Sequence, residues 1–74
     1  MNDFGLGERI ERLFADGLRV ETSLGIAARL GVSEDAALVE LVGLVTSGAL
    51  TLVEEGSLLI FLTPAVANEL EPAA

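Results

Sequence analysis

The sequence predicts a small α+β fold in which three helices are followed by a hairpin of two strands. Apolar residues recur at helical spacing in three segments before residue 48. Two apolar segments, Ala49–Val53 and Leu58–Leu62, then flank the turn-forming stretch Glu54–Ser57. The chain has 74 residues, 51% of them hydrophobic but only three aromatic. We therefore expect a single domain over residues 1–74, with an aliphatic core and frayed ends at 1–5 and 71–74.

The first helix is predicted near Gly7–Asp16, because four apolar residues there follow the i, i+4, i+7, i+8 spacing of one helical face: Leu6, Ile10, Leu13 and Phe14. Gly17 suits the end of this helix. The next four residues, Leu18–Glu21, alternate apolar and polar as a short strand does. A helix followed by a short strand is therefore expected at the start of the fold.

The second helix is predicted to begin at a cap formed by Thr22 or Ser23 and to end at Gly31. Its buried face consists of Ile26, Ala27 and Leu30. The third helix is predicted to begin after Ser33 and to close at Gly48. Its inward stripe is assigned to Leu38, Leu41, Val42 and Val45.

The segment Leu58–Leu62 is apolar throughout, which is typical of a central strand buried on both faces. One face packs on the helices, and the other, with Leu59 and Phe61, needs a cover. Pro64 can open a last helix through about Leu70. The cover could come from Val66 and Leu70 of that helix or from a second copy of the chain, and the sequence leaves both open.

Three short motifs resemble those of the winged-helix superfamily. Ile26–Ser33 resembles its helix-turn-helix signature, and Leu44–Leu50 is similar to the end of its third helix and the entry into the wing. Leu62–Ala65 resembles the exit of the last strand into a C-terminal helix, as in MarR-like and PadR-like regulators. The resemblance covers residues 6–70. It implies that the first short strand pairs with the last and that the third helix is the one that reads DNA.

The residues on that helix do not match a DNA-reading role. A recognition helix contacts bases through Arg, Lys, Asn or Gln. With the inward stripe assigned above, the outward face holds none of these and consists of Ala36, Val39, Glu40, Gly43, Leu44 and Ser47, with Ala37 at the flank beside Leu44. The turn of the hairpin adds Glu54 and Glu55. This face is instead small and apolar, which indicates an interface with protein.

The net charge of −8 argues in the same direction, since twelve acidic residues outnumber four basic ones, all of them arginine. Such a chain repels a polyanion at long range. Only Arg19 and Arg29 are candidate phosphate contacts. The simplest interpretation of the charge is that it keeps an apolar chain soluble. A basic partner, a salt-rich cytoplasm or mimicry of nucleic acid remain alternatives.

Catalysis has few candidate groups, because His, Cys, Lys and Tyr are all absent. We expect no enzyme activity, no cofactor, no metal and no small-molecule substrate. The absence of cysteine fits a cytoplasmic location. The longest apolar run has five residues, far fewer than the roughly 20 needed to cross a bilayer, so we expect no membrane span, and the first residues lead us to expect no signal peptide.

The leading hypothesis is therefore a regulatory protein-interaction or homodimerisation module on a winged-helix fold, with the outward face of the third helix as its binding site. The alternative is a DNA-binding transcriptional regulator that contacts phosphates through Arg19 and Arg29. A second alternative is an acidic nucleic-acid mimic or an inhibitor of a basic protein.

Overall fold

The computed structural model describes residues 5–70, and its elements follow the predicted order. They are α1 (Leu6–Ala15), β1 (Val20–Thr22), α2 (Ser23–Leu30), α3 (Glu34–Ser47), β2 (Thr51–Glu55), β3 (Leu58–Leu62) and α4 (Pro64–Leu70). The predicted fraying of residues 1–5 and 71–74 lies outside the described residues except at Gly5, which caps α1. No helix within residues 5–70 combines the length and the apolar character needed to span a membrane.

The ends of α2 and α3 are fixed by the residues that the sequence indicates. The hydroxyls of Thr22 and Ser33 each accept a hydrogen bond from the backbone N–H three residues later, at 3.1 and 3.2 Å. Gly31 and Gly48 close the two helices with φ of 70° and 90°, in the left-handed region that favours glycine. Both helices therefore begin and end where the capping residues predict.

Both strands that follow a helix begin later than predicted, because the first residues after each helix complete its C-terminal turn. The N–H of Leu18 donates to the carbonyl of Leu13 at 3.0 Å, so β1 begins at Val20. The N–H groups of Ala49 and Leu50 both donate to the carbonyl of Leu44, so β2 begins at Thr51.

The three strands form an antiparallel sheet in the order β1-β3-β2, so the apolar segment Leu58–Leu62 is the central strand, as predicted. The prediction of which face needs a cover was wrong. Leu59 and Phe61 face the helices and pack in the core. Phe61 is the only aromatic residue of the three strands, and this orientation buries it among residues of α1, α2 and α3. The outer face of β3 instead carries Leu58, Ile60 and Leu62.

The core lies between the three N-terminal helices and the inner face of the sheet. It consists of Ile10, Phe14, Ile26, Ala27, Ala37, Leu41, Leu50 and Phe61. Ser23 is buried beside it, and its hydroxyl donates to Oε2 of Glu34 at 2.8 Å. This hydrogen bond joins the first turn of α2 to the first turn of α3, so it helps to fix how the two helices of the helix-turn-helix pack.

The rotation of α3 about its axis differs from the predicted one. Ala37, placed on the outer flank by the prediction, is completely buried, whereas Val42, placed inward, is 57% exposed. The inward stripe is centred on Ala37 and Leu41, with Leu44 packed against the core beside them. Leu38, Leu41 and Val45 pack inward as predicted, so Val42 is the one member of the predicted stripe that does not. An alanine at the centre of the contact leaves room for close packing, which a larger side chain would prevent.

Candidate functional site

The exposed face of α3 contains four of the six residues predicted to bind a partner. Ala36, Val39, Gly43 and Ser47 are exposed. Val42, which was predicted to point inward, is exposed as well, because α3 is rotated about its axis relative to the prediction.

The other two predicted residues, Leu44 and Glu40, do not lie on this face. Leu44 is partly buried and packs against the core. Glu40 is partly buried, and its Oε1 would lie 3.0 Å from a Cβ atom built on Gly7 of α1. Both residues lie on the same side of α3 as the buried Ala37, so their side chains point toward the other helices.

The exposed face of α3, defined here as Ala36, Val39, Val42, Gly43 and Ser47, is apolar at its centre. Val39 is 70% exposed and Val42 is 57% exposed, so two large apolar side chains one helical turn apart share this face. Asp35 and Thr46 are also exposed, and helical spacing places them between Val39 and Val42 around the helix axis. No cationic or amide side chain belongs to α3, so this surface lacks the side chains that most often read base edges.

The wing is the β2–β3 hairpin, and its tip is acidic. A two-residue turn at Gly56 and Ser57 joins the strands, with Gly56 at a φ of 61°. Glu54 and Glu55 directly precede the turn and are exposed. A wing that approached DNA in this form would bring two carboxylates toward the phosphates, which repel them.

The two arginines proposed as phosphate contacts are already paired with carboxylates. Nε of Arg29 donates to Oε2 of Glu21 at 2.9 Å, and Arg19 forms an ion pair with Glu69 of α4. The hydrogen bond from Arg29 holds the pKa of the Glu21 carboxyl below its usual range. The N–H of Thr22 adds to this lowering, whereas partial burial opposes it.

A third arginine also has an acceptor within the protein. The guanidinium of Arg9 donates to the backbone carbonyl of Leu30 at 3.2 Å, which links α1 to the end of α2. Phosphate binding by Arg19 or Arg29 would compete with an existing ion pair for the same guanidinium, which has further N–H donors. These pairs are exposed and contribute about 0–1 kcal/mol each, so they weaken such binding without forbidding it.

Two surface depressions of similar volume occur among the described residues. One, of about 250 Å³, runs along the exposed side of α1 and is lined by Glu8, Glu11, Arg12 and Ala15, all from that helix. The other, of about 240 Å³, lies between α4 and the sheet and is lined by Thr51, Val53, Leu62, Ala67 and Leu70. Only the second is formed between elements distant in sequence. Within residues 5–70 no three acidic side chains converge as metal ligands do.

Comparison with protein-family models and with curated proteins gives no match to this sequence. Comparison with solved structures gives a domain of HOP2, with a TM-score of 0.73 and 19% sequence identity, covering 80% of this chain and 98% of that chain. That structure is described as giving insight into the DNA recognition and protein interaction domains of HOP2 and its homologous DNA pairing. An identity this low bears on the fold alone. Together with the four helices and the β1-β3-β2 sheet, it confirms the predicted fold class: the chain has a winged-helix fold.

Proposed function

We propose that this winged helix is a non-enzymatic module that binds protein, either a second copy of itself or a different chain, through the exposed face of α3. The observation that carries the proposal is the exposure of Val39 and Val42 on a helix without a cation. In a DNA-binding winged helix this is the surface that enters the major groove. Here it has the composition of a small protein interface.

Energetics support a contact at this face. Fully burying a valine side chain contributes roughly 1.5 kcal/mol or more, so Val39 and Val42 together offer about 3 kcal/mol to a complex. Ala36 and Gly43 beside them have little or no side chain, so a partner can approach the helix backbone closely. An apolar centre surrounded by polar residues is the usual arrangement of a protein interface.

DNA binding by a transcriptional regulator is the second candidate, and one observation favours it. The similar domain of HOP2 comes from a structure described in terms of DNA recognition as well as protein interaction. Arg19 and Arg29 would then supply the phosphate contacts. The acidic wing and the ion pairs of both arginines oppose this function. The MarR-like or PadR-like resemblance is likewise still a prediction.

The first test is fluorescence anisotropy of a labelled random DNA duplex titrated with the full chain at about 50 mM salt. Non-specific binding by DNA-binding proteins has Kd values of roughly 10⁻⁴ to 10⁻⁶ M at physiological salt and is tighter at low salt. We expect no binding in this range. Binding that weakens steeply with salt and is lost in Arg19→Ala and Arg29→Ala would establish the DNA alternative instead.

The second test is sedimentation equilibrium of the wild type and the Val39→Glu variant over a wide range of concentration. We expect a wild-type dimer that Val39→Glu weakens at least tenfold, because a carboxylate at the centre of the contact would be desolvated. Ala15→Glu adds the same charge at an exposed position on α1 and should leave the dimer intact. Leu44 is unsuitable for this test, since its substitution would disturb the core.

The outcomes of the sedimentation test separate the two kinds of protein partner. A dimer that Val39→Glu and Ala15→Glu affect equally would contradict the assignment of the α3 face. A wild-type chain that stays monomeric throughout would exclude self-association and leave a different protein as the partner. Circular dichroism of both variants checks that the helices are retained.

A further inference from the structure

The outer face of the sheet is a second apolar surface, separate from the α3 face. Residues paired directly across antiparallel strands point to the same side of a sheet. The observed register therefore gives three rows on this face: Val20, Leu62 and Thr51; then Thr22, Ile60 and Val53; then Leu58 and Glu55. The first row lies at the end where β3 leads into α4, and the third lies at the wing tip.

Helix α4 packs against the centre of the first of these rows. Leu62 in that row is 1% exposed, and Val66 of α4 is also buried. The ion pair between Arg19 and Glu69 joins α4 to the residue before β1. Toward the wing tip the face becomes more exposed: Ile60 is partly buried, Val53 is 38% exposed and Leu58 is 49% exposed.

The edge of α4 and the second and third rows form a continuous apolar groove. Ala67 and Leu70 face Thr51 and Val53 across the depression of about 240 Å³. Leu70 is 64% exposed, and Leu58 in the third row is 49% exposed. Because Ile60 is paired with Val53 and lies next to Leu58 on the same face, these side chains form one strip. We call this strip, with Val53, Leu58, Ile60, Ala67 and Leu70, the sheet groove.

The charges around the sheet groove are acidic. Glu55 shares the outer face with Leu58 and is exposed, whereas Glu54 is paired with Leu59 and therefore lies on the opposite face. The cation nearest in sequence to this surface, Arg19, is already paired with Glu69. A second copy of the chain would bring the same carboxylates and a further net charge of −8 to this surface. Charge complementarity therefore favours a partner with positive side chains.

We propose that the sheet groove binds a cationic amphipathic segment of a different protein. Its apolar side chains lie against Val53, Leu58 and Leu70, and its lysines or arginines lie near Glu55. The three rows lie two residues apart along β3, so the distance from the first row to the third is about 13 Å. A helix covers that distance in about nine residues, so two to three helical turns are enough. This binding goes beyond the proposed role of α3 and does not depend on it.

The test uses a fluorescently labelled synthetic helical peptide of about 14 leucines and lysines, titrated with the full chain and its variants. Leu70→Ser and Leu58→Ser each remove an exposed apolar contact of the groove, and we expect each to weaken binding about tenfold. Leu24→Ser is the matched control, because Leu24 is 60% exposed on α2, away from this face. It should leave the affinity unchanged, as should Val39→Ser on the α3 face.

A second pair of variants tests the charge. Glu55→Gln should weaken binding of the leucine–lysine peptide about threefold and reduce its dependence on salt, as expected for an exposed ion pair. Glu11→Gln removes the same charge from the exposed side of α1 and should have little effect. A matched peptide of leucine and glutamate should not bind.

Three results would overturn the proposal. The first is no binding of the leucine–lysine peptide up to about 1 mM. The second is a loss of affinity in Leu24→Ser equal to that in Leu70→Ser, which would indicate non-specific binding. The third is a wild-type dimer that Leu70→Ser dissociates, which would identify the occupant as a second copy. Thermal unfolding of each variant checks that a loss of affinity is not caused by loss of folding. An unchanged peptide affinity in Val39→Ser would show that this binding is independent of the α3 face.

Discussion

At the scale of single residues, the side chain of Glu21 connects β1 with both ends of α2. Its carboxylate accepts hydrogen bonds from Arg29 and from the N–H of Thr22, at 2.9 and 3.0 Å. It also lies against Gly25, where a Cβ atom would be 2.4 Å from the carboxylate. This one side chain therefore joins β1 to the start and the end of α2, and in this position it occupies the space that a Cβ atom at residue 25 would take.

The lowered pKa of Glu21 predicts a specific dependence of stability on pH. Because the folded-state pKa lies below that of the unfolded chain, about 4.3, ionised Glu21 favours folding above that pH. The contribution is lost as pH falls through the folded-state pKa. We expect Glu21→Gln to lower the free energy of unfolding by about 0.2–1 kcal/mol at pH 7. Urea denaturation should show this difference shrinking below about pH 4.

The control for this measurement is Glu11→Gln, which removes an exposed carboxylate from α1. Its effect on stability should be small and should not follow the pH profile of Glu21→Gln. A difference between the wild type and Glu21→Gln that stays constant from pH 7 to about pH 3 would contradict the role given to the ionised carboxylate.

At the scale of elements, the glycines of α2 and α3 should respond in opposite ways to the same substitution. A protein with alanine at a helix interior position is more stable than the same protein with glycine there, by roughly 0.5–1 kcal/mol. A Cβ atom at Gly43 meets nothing within 4 Å, so Gly43→Ala should raise the free energy of unfolding by about this amount. Gly25→Ala should give no gain or a loss, because its methyl group displaces the Glu21 carboxylate.

Thermal and urea unfolding of the two alanine variants test this difference. The double variant Glu21→Ala with Gly25→Ala removes the obstructing carboxylate and should recover the helix-propensity gain relative to Glu21→Ala alone. A similar gain in Gly25→Ala and Gly43→Ala would show that Glu21 moves aside without cost.

The elements also show which parts of the fold the sequence determines. The caps Thr22 and Ser33 act through local hydrogen bonds, so capping rules place the helix starts correctly. The central position of Leu58–Leu62 follows from its uninterrupted apolar pattern. The rotation of α3 does not follow from its sequence, because apolar residues occur on nearly every side of this helix. Both the predicted stripe and the observed one, centred on Ala37 and Leu41, have helical spacing.

At the scale of the whole molecule, the net charge of −8 affects any association between copies. Two acidic chains repel each other, and added salt screens that repulsion over a Debye length of about 10 Å at 0.1 M. The proposed α3 dimer should therefore become tighter as salt is added. Binding of a cationic segment in the sheet groove should become weaker under the same change. Salt thus distinguishes the two proposed surfaces in one chain.

The two candidate surfaces differ in how far the sequence could predict them. The α3 face was predicted in part, since Ala36, Val39, Gly43 and Ser47 are exposed as expected. The sheet groove could not be located, because it depends on which side of β3 faces the helices and on how α4 crosses the outer face. Period-two alternation is absent in Leu58–Leu62, so that choice is made by tertiary packing around Phe61.

The position of β3 between β1 and β2 has a consequence for how the chain folds during synthesis. Val20 is paired with Leu62, which is 42 residues later in the sequence. The helices α1, α2 and α3 precede β3, so their local hydrogen bonds can form while β1 still has no strand to pair with. The sheet closes only when residues 58–62 have emerged, and Phe61 completes the core in the same step. Long-range pairing of this kind is the slow part of folding, since the loop between the strands must close first.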